Sequence, residues 1–297
     1  MVYPDPHAKR TFGKIDAIIL VVAAIAIGVV FFRVNSVLHY RWEWAFLPNY
    51  FVRTDEETGA WTTNILLQGL LATIRISILS MILASIIGVV LGFMRASRRL
   101  FFRISGRAYV ELIRNLPPLI FIFVFYFFVS GQLMPFLGLD ELVRSLTPEQ
   151  ATIVGKILGP PQLLENLIAG VLCLAMFEAA YIAEIVRAGI QAVPHDQIEA
   201  GQSIGLSRWK VAYLIVLPQA MRKVLPPLAN QFIMLIKDSS IISLISVQEL
   251  TFLGTEVAVS TQRVFETWIA VAAMYFVLCF TLSRIFARFE ARARRKE

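Results

Sequence analysis

Charge is scarce in this chain. Only 16% of its 297 residues are Asp, Glu, Lys or Arg, whereas an average soluble domain carries about 25%. With 57% hydrophobic residues beside that deficit, the composition excludes an ordinary soluble protein and points to an integral membrane protein. Cysteine is nearly missing: Cys173 and Cys279 both sit in apolar runs, without metal-ligand spacing or a partner nearby. They read as small apolar residues, not as a disulfide or metal framework. His7, His39 and His195 are too scattered for a metal site or an acid/base pair. No nucleophile, metal or acid/base set assembles, which counts against a membrane enzyme. There is also no Gly-x-x-x-x-Gly-Lys-Ser/Thr phosphate loop, so any ATP would be hydrolysed by another chain. Internal repeats, low-complexity tracts and flexible linkers are absent as well, and one transmembrane domain is the economical count.

Six apolar stretches are long enough to span a bilayer, near 15–36, 64–94, 108–130, 164–190, 209–245 and 264–288. The first is the weakest, uncharged only between Asp16 and Arg33. It exceeds a signal-peptide core and no small-x-small cleavage site follows, so it reads as a retained anchor. The net charge of +7 would point a soluble protein toward nucleic acid, but its distribution decides otherwise. Segment 95–107 holds Arg95, Arg98, Arg99, Arg103 and Arg107 and no acid, and the tail from Arg284 is basic. The alternate loops 35–62, 131–166 and 248–267 carry five basic and eleven acidic residues. Lys/Arg excess marks the cytoplasmic side, which predicts both termini inside. Orientation and headgroup contact account for the basic tail, and no nucleic-acid partner is expected.

Between two of these spans lies a polar island, Val193 to Leu206, which the same asymmetry places on the cytoplasmic side. Asp196 and Glu199 have the spacing of an Asp-variant capping box. Gly205 can end a short helix in the left-handed conformation, and Ser207 can cap the next one. A rod of roughly 12 Å between those caps is too short to bury a core. It suits a plug that fits a socket on another protein.

The run Glu199-Ala200-Gly201, Gly205 and Ile215-Val216-Leu217-Pro218 resembles the EAA signature of ATP-binding-cassette importer permeases, with Gly replacing the second Ala. That Gly leaves room for a close contact. Ala180 to Ile190, Asn230-Gln231-Phe232 with Lys237-Asp238-Ser239-Ser240, and Arg114-Asn115-Leu116-Pro117 are similar to elements of the polar amino-acid (His/Glu/Gln/Arg/opine) subfamily. The likeness runs over roughly 64–288. Residues 1–62 add a helix to the family's usual five, and 136–163 make a longer outer loop than is typical.

What the resemblance implies is an all-α integral membrane protein of about six helices with the type I importer (MetI-like) permease fold. It divides into 1–62 (cytoplasmic N-terminus, extra helix and outer loop), a five-helix core over 63–290 and a basic tail over 291–297. The island, near 196–206, would be the cytoplasmic coupling helix, with Asp196, Ile198, Glu199, Ala200, Gly201, Ile204 and Gly205 meeting the ATPase. Implied partners are two cytosolic ATP-binding-cassette ATPases, a second permease subunit (the same chain or a sibling), an extracytoplasmic substrate-binding protein and the lipid membrane. This chain would bind no cofactor; ATP and Mg would sit on the ATPases. The implied setting is a bacterial cytoplasmic (inner) membrane, and the implied cargo is a polar amino acid or similar small solute.

Polar groups at membrane depth supply further candidates, since each costs about 2.5–3.5 kcal/mol if left facing lipid. Glu178 sits mid-span, as a pathway residue for a substrate ammonium or as a hydrogen-bonded packing residue. Alternatively, a secondary transporter or channel acting alone would use it as its proton or ion site. A membrane scaffold without a path is the third class. Glu184 and Arg187 can pair on one helix face. Lys237 and Asp238 are adjacent, so they point apart, and one is expected at the dimer axis or a gate. Pro117-Pro118 and Pro226-Pro227 are expected to break or kink helices. Arg114 and Asn115 at the first break, and Asn230, complete the pathway or gate candidates. Arg75 is expected to snorkel outward, and Phe121 to Phe128 to face lipid or core.

Overall fold

The computed structural model describes residues 13–37, 40–54 and 59–294; His7, His39 and the last three residues lie outside them. The chain divides into two compact units, Met1–Ala45 and Phe46–Glu297. In the first, α1 (Lys14–Val37) is an unbroken helix with Ile15, Leu20, Ile27 and Phe32 exposed. After it comes an aromatic stack, Phe31–Trp42 at 6.3 Å and Trp42–Trp44 at 5.6 Å. Amphipathic rings of this kind collect at membrane–water boundaries.

The second unit opens with α2 (Leu47–Phe51) and an unforeseen small hairpin, β1 (Val52–Thr54) against β2 (Trp61–Thr63). Asn64 then accepts the amide of Ile65 and starts α3 (Ile65–Ala96). The chain continues through α4 (Leu100–Arg114), α5 (Pro118–Val124), α6 (Gly131–Leu137), α7 (Leu139–Ser145), α8 (Pro148–Leu158) and α9 (Leu164–Gln191). It ends with α10 (His195–Ser203), α11 (Arg208–Val211), α12 (Leu217–Asp238), α13 (Leu250–Thr261) and α14 (Val264–Arg294).

Among the described residues six segments are long and apolar enough to cross a membrane: Lys14–Arg33, Ile65–Ala96, Pro118–Ser145, Pro161–Gln191, Arg208–Ile245 and Val264–Arg292. The third departs from expectation. It begins at Pro118 rather than near 108, because α4 is a separate amphipathic helix. Leu116 and Pro117 each precede a proline and are pushed out of helical geometry, with Pro117 at ψ 138°. The expected outer loop over 131–166 is largely helical, and α8 carries a true capping box between Thr147 and Gln150.

The second proline pair does not break its helix: Pro226 and Pro227 lie inside α12, which runs on to Asp238. The irregularity sits before Pro218 instead, as a widened π-turn over Ala212–Val216. Pro218 has no N–H for the carbonyl of Leu214 four residues earlier, and the wider turn absorbs that gap.

Lipid supplies no hydrophobic drive between helices, so the spans of the second unit hold together by close packing and polar contacts. α9 is the most enclosed of them, buried on most of its circumference. α3 meets it through a stripe of small residues, Ser77, Ser80, Ala84, Gly88 and Gly92. The hydroxyl of Ser80 donates to the Val171 carbonyl at 3.3 Å. A Cβ on Gly88 would stand 3.1 Å from the Ala179 carbonyl, and one on Gly92 3.0 Å from that of Ala183. These contacts advance together along both helices, so α3 and α9 run parallel. α12 crosses α9 in the opposite sense, Val224 lying on Gly189 and Gln231 on Glu178.

At the other end of α3, Glu249 caps α13 from a fully buried position. It accepts hydrogen bonds from Tyr275 Oη at 2.6 Å, the Phe252 amide at 2.9 Å and Thr73 Oγ1 at 3.2 Å. Burial pushes its carboxyl above the usual range, opposed by these donors. Tyr275→Phe removes one donor and leaves the carboxylate short of a partner. The expected cost is about 1–3 kcal/mol, read as a lower thermal midpoint for the purified variant.

Candidate functional site

The polar island folds as α10, but not with the expected cap. Pro194 holds the N-cap position and no side chain closes the first turn. With its φ already helical, Pro194 takes the N-cap and starts the helix two residues early, leaving Asp196 inside the first turn rather than before it. There it favours the helix dipole without capping. Glu199 reaches instead to Nδ1 of His195 at 3.0 Å, an exposed pair.

The far end matches expectation closely. Gly205 takes φ +83°, its amide meets the Gln202 carbonyl at 2.9 Å, and the Leu206 amide meets Gly201 at 3.2 Å. Those two bonds are the Schellman closure. Ser207 Oγ then accepts the Lys210 amide and caps α11.

Gly201 is the buried residue of α10, and a Cβ there would collide with Ile215 and meet Val211 at 3.2 Å. The glycine in place of the family's alanine therefore seats α10 directly on the start of the next span. Asp196, Glu199, Ala200 and Ile204 are exposed, and Ile198 is half-buried. Ile204 is 77% exposed, and Trp209 and Tyr213 beside it are 86% and 70% exposed. These two aromatics were missed in the sequence, although a Trp two residues beyond the Ser207 cap was the available signal.

A second constellation lies between α9, α12 and the end of α4. Glu178 is fully buried, and Gln231 Nε2 donates to its Oε2 at 2.6 Å. Among the described residues no donor meets its Oε1, and the Asp238 carboxyl adjoins Glu178. Gln231 also faces a cavity of about 400 Å³, which Arg114, Tyr181, Glu184, Lys223 and Pro227 help to line. The Arg114 guanidinium stands 5.5 Å over the Tyr181 ring, a cation–π contact.

Glu184 pairs with Arg187 as expected, Nε to Oε1 being 3.1 Å, and also with Arg95 of α3. The structure thus brings Arg114, Glu178 and Asp238 into one neighbourhood. Lys237 points away, as adjacency demands, into a second cavity of about 370 Å³ with Ser240, Thr251, Trp268 and Tyr275. Asn115 and Asn230 line neither cavity: the Asn115 amide closes α4 on the Glu111 carbonyl at 2.7 Å, and Asn230 is exposed. Arg75 reaches the turn at Gly159. Phe121 and Phe125 are buried, whereas Phe127 and Phe128 are exposed. Among the described residues no cluster of His, Cys, Asp or Glu could hold a metal.

This architecture has known counterparts. A crystal structure of an amino acid ABC transporter with histidines covers 77% of this chain and 94% of its own, with TM-score 0.61 and 30% identity. An inward-facing structure of the MetNI methionine ABC transporter, at 16% identity, shares the fold with TM-score 0.58 over 77% of this chain and 95% of its own. The probable glutamine ABC transporter permease protein GlnM of Bacillus subtilis (strain 168) is 35% identical over 217 residues, 73% of this chain and 88% of the relative. Residues 84–295 match the family described as binding-protein-dependent transport system inner membrane component. With that match spanning α10 and both cavities, the chain belongs to this family of membrane permease subunits.

Proposed function

We propose that this permease forms, with a second copy or a sibling chain, the path by which a polar amino acid enters the cell. Two cytosolic ATPases dock on α10, which lies on the cytoplasmic side with both termini, and a binding protein delivers the cargo from outside. ATP and Mg reside on the ATPases. The relatives' amino-acid names support the cargo, and a cavity of about 400 Å³ falls in the range of small-molecule pockets, roughly 300–1,000 Å³.

The observation that carries this reading is the seating of Gly201 on Val211 and Ile215. It joins α10 to the span that includes α12, and α12 in turn holds Gln231 on Glu178 at the cavity. A displacement of α10 with its socket is passed up this helix. In the proposed cycle Arg114 takes a substrate carboxylate. Glu178 and Asp238 face the ammonium once Gln231 swings aside. Closure of the ATPases on ATP selects the outward-open state, and hydrolysis restores the inward one.

Reconstitution in proteoliposomes tests this. Uptake is expected only with ATP, the ATPases and the binding protein together. Uptake driven by an ion gradient without any ATPase would instead make Glu178 an ion site and overturn the reading.

A further inference from the structure

α4 has three distinct faces, and protein covers only one of them. Gly106, Val110 and Ile113 are buried, and Tyr109 Oη donates to the Met176 carbonyl at 2.7 Å. On the opposite face Phe101, Ile104 and Leu112 are 75%, 55% and 63% exposed. The third face is cationic, with Arg103 and Arg107 on the helix and Arg98 and Arg99 just before it. Arg107 is engaged by Glu111, at 2.6 Å. No hydrogen bond or ion pair among the described residues engages the side chains of Arg98, Arg99 or Arg103, all exposed.

Position decides what this surface can meet. α4 begins four residues after α3, the second span, has ended, so it starts at the membrane–water boundary. Tyr109 reaches Met176 near the middle of the Pro161–Gln191 span, so α4 slants inward with its arginines at the boundary and its apolar flank below them. Guanidinium groups bind phosphate by two parallel hydrogen bonds, and three without acidic partners make a site for anionic headgroups.

We propose that α4 is an interfacial helix that binds anionic phospholipid, with acyl chains against Phe101, Ile104 and Leu112 and phosphates on Arg98, Arg99 and Arg103. The bound lipid fixes the helix whose last residue, Arg114, stands over Tyr181 at the cavity. Lipid binding depends on this surface alone; its effect on transport rests on the function proposed above.

The full chain, purified and exchanged into micelles containing equal phosphatidylglycerol and phosphatidylcholine, is read by native mass spectrometry. The wild type is expected to retain phosphatidylglycerol preferentially. The triple variant R98Q/R99Q/R103Q should lose that preference by roughly tenfold or more. Triple lysine replacement should keep most of it, and R53Q/R144Q, in the hairpin and α7, should change nothing. A wild type without the preference, or a glutamine variant that keeps it, overturns the proposal. If the glutamine variant does not fold, salt decides, because headgroup binding must weaken as ionic strength rises, and a salt-insensitive preference overturns it too. Loss of a co-purifying ATPase with lipid preference intact would assign the patch to protein docking, which also overturns it.

Discussion

Gly92→Leu is expected to leave almost no folded permease in the membrane. A Cβ at this position would stand 2.7 Å from both Cβ and Cγ1 of Val186 and 3.0 Å from the Ala183 carbonyl. Val186 cannot turn aside, since a β-branched residue in a helix has one strongly preferred rotamer, and the carbonyl is backbone. The two helices must therefore separate. Gly88 has the same geometry against Ile182, with Cγ2 at 2.6 Å and Cβ at 2.7 Å. Overpacking a close-fitted site costs about 1–3 kcal/mol, occasionally more. Here the separation also strips the Ser80–Val171 hydrogen bond and the Arg95–Glu184 pair. In lipid no hydrophobic term draws the helices back. The yield of monodisperse protein by fluorescence-detected size exclusion should fall more than tenfold, a change of only about 1.4 kcal/mol. Gly155→Leu, where nothing lies within 4 Å, should behave as wild type. Normal yield from Gly92→Leu would show that the α3–α9 seam is not what holds the core.

Glu199→Lys is expected to leave a folded permease that no longer responds to its ATPase. The side chain is 67% exposed and pairs with His195, so its replacement disturbs neither the Schellman closure nor the seat of Gly201. The change falls on the partner instead. Where a socket offers a positive group to Glu199, the variant sets like charges together, which costs several kcal/mol. Substrate-stimulated ATP hydrolysis by the purified complex should drop by at least a factor of about one hundred. Gly205→Asp should do less, because the space around it is open and only the left-handed backbone opposes it. Left-handed geometry costs an L-residue roughly 1–2 kcal/mol, and Asp tolerates it better than most. Unchanged stimulation in Glu199→Lys would remove α10 as the point of coupling.

Much of this was legible before any coordinates, for identifiable reasons. Run length alone placed most of the spans within a few residues, because the bilayer sets helix length. The end of α10 was readable because a left-handed turn all but demands glycine. Its start was not, since Pro194 and Asp196 compete as starters and only the fixed φ of proline decides between them. The boundary of α4 was missed because its apolar flank merges in sequence with the span after Pro118. The helices over 139–158 were hidden by charge, which reads as loop whether or not the backbone winds, and α6 by its Gly131 and Pro135, which read as turn.

Partnerships across long separations were invisible. Glu184 was paired correctly within its own helix, but Arg95 comes from 89 residues away. The bond of Glu249 to Thr73 spans 176 residues, and no pattern in a single chain announces it. The candidate pathway fared unevenly for the same reason. Glu178 stood out by its charge, whereas its donor Gln231 is an ordinary residue until α12 is laid beside α9.

The glycines of α3 also determine which parts of the chain can move. Where a helix presents Gly88 and Gly92 directly to a neighbour's carbonyls and to its stiff Ile182 and Val186, little is left to slide or re-pack. In the proposed cycle α3 and α9 would therefore act as a stator. α12 meets α9 through Val224 and the Ala220 carbonyl on Gly189 at one end, and through one glutamine amide on Glu178 at the other. A single side-chain amide can be exchanged without parting the helices. On the function proposed above, a stroke received by α10 would pass to α12, and the parallel pair beside it would provide the frame against which that swing is measured.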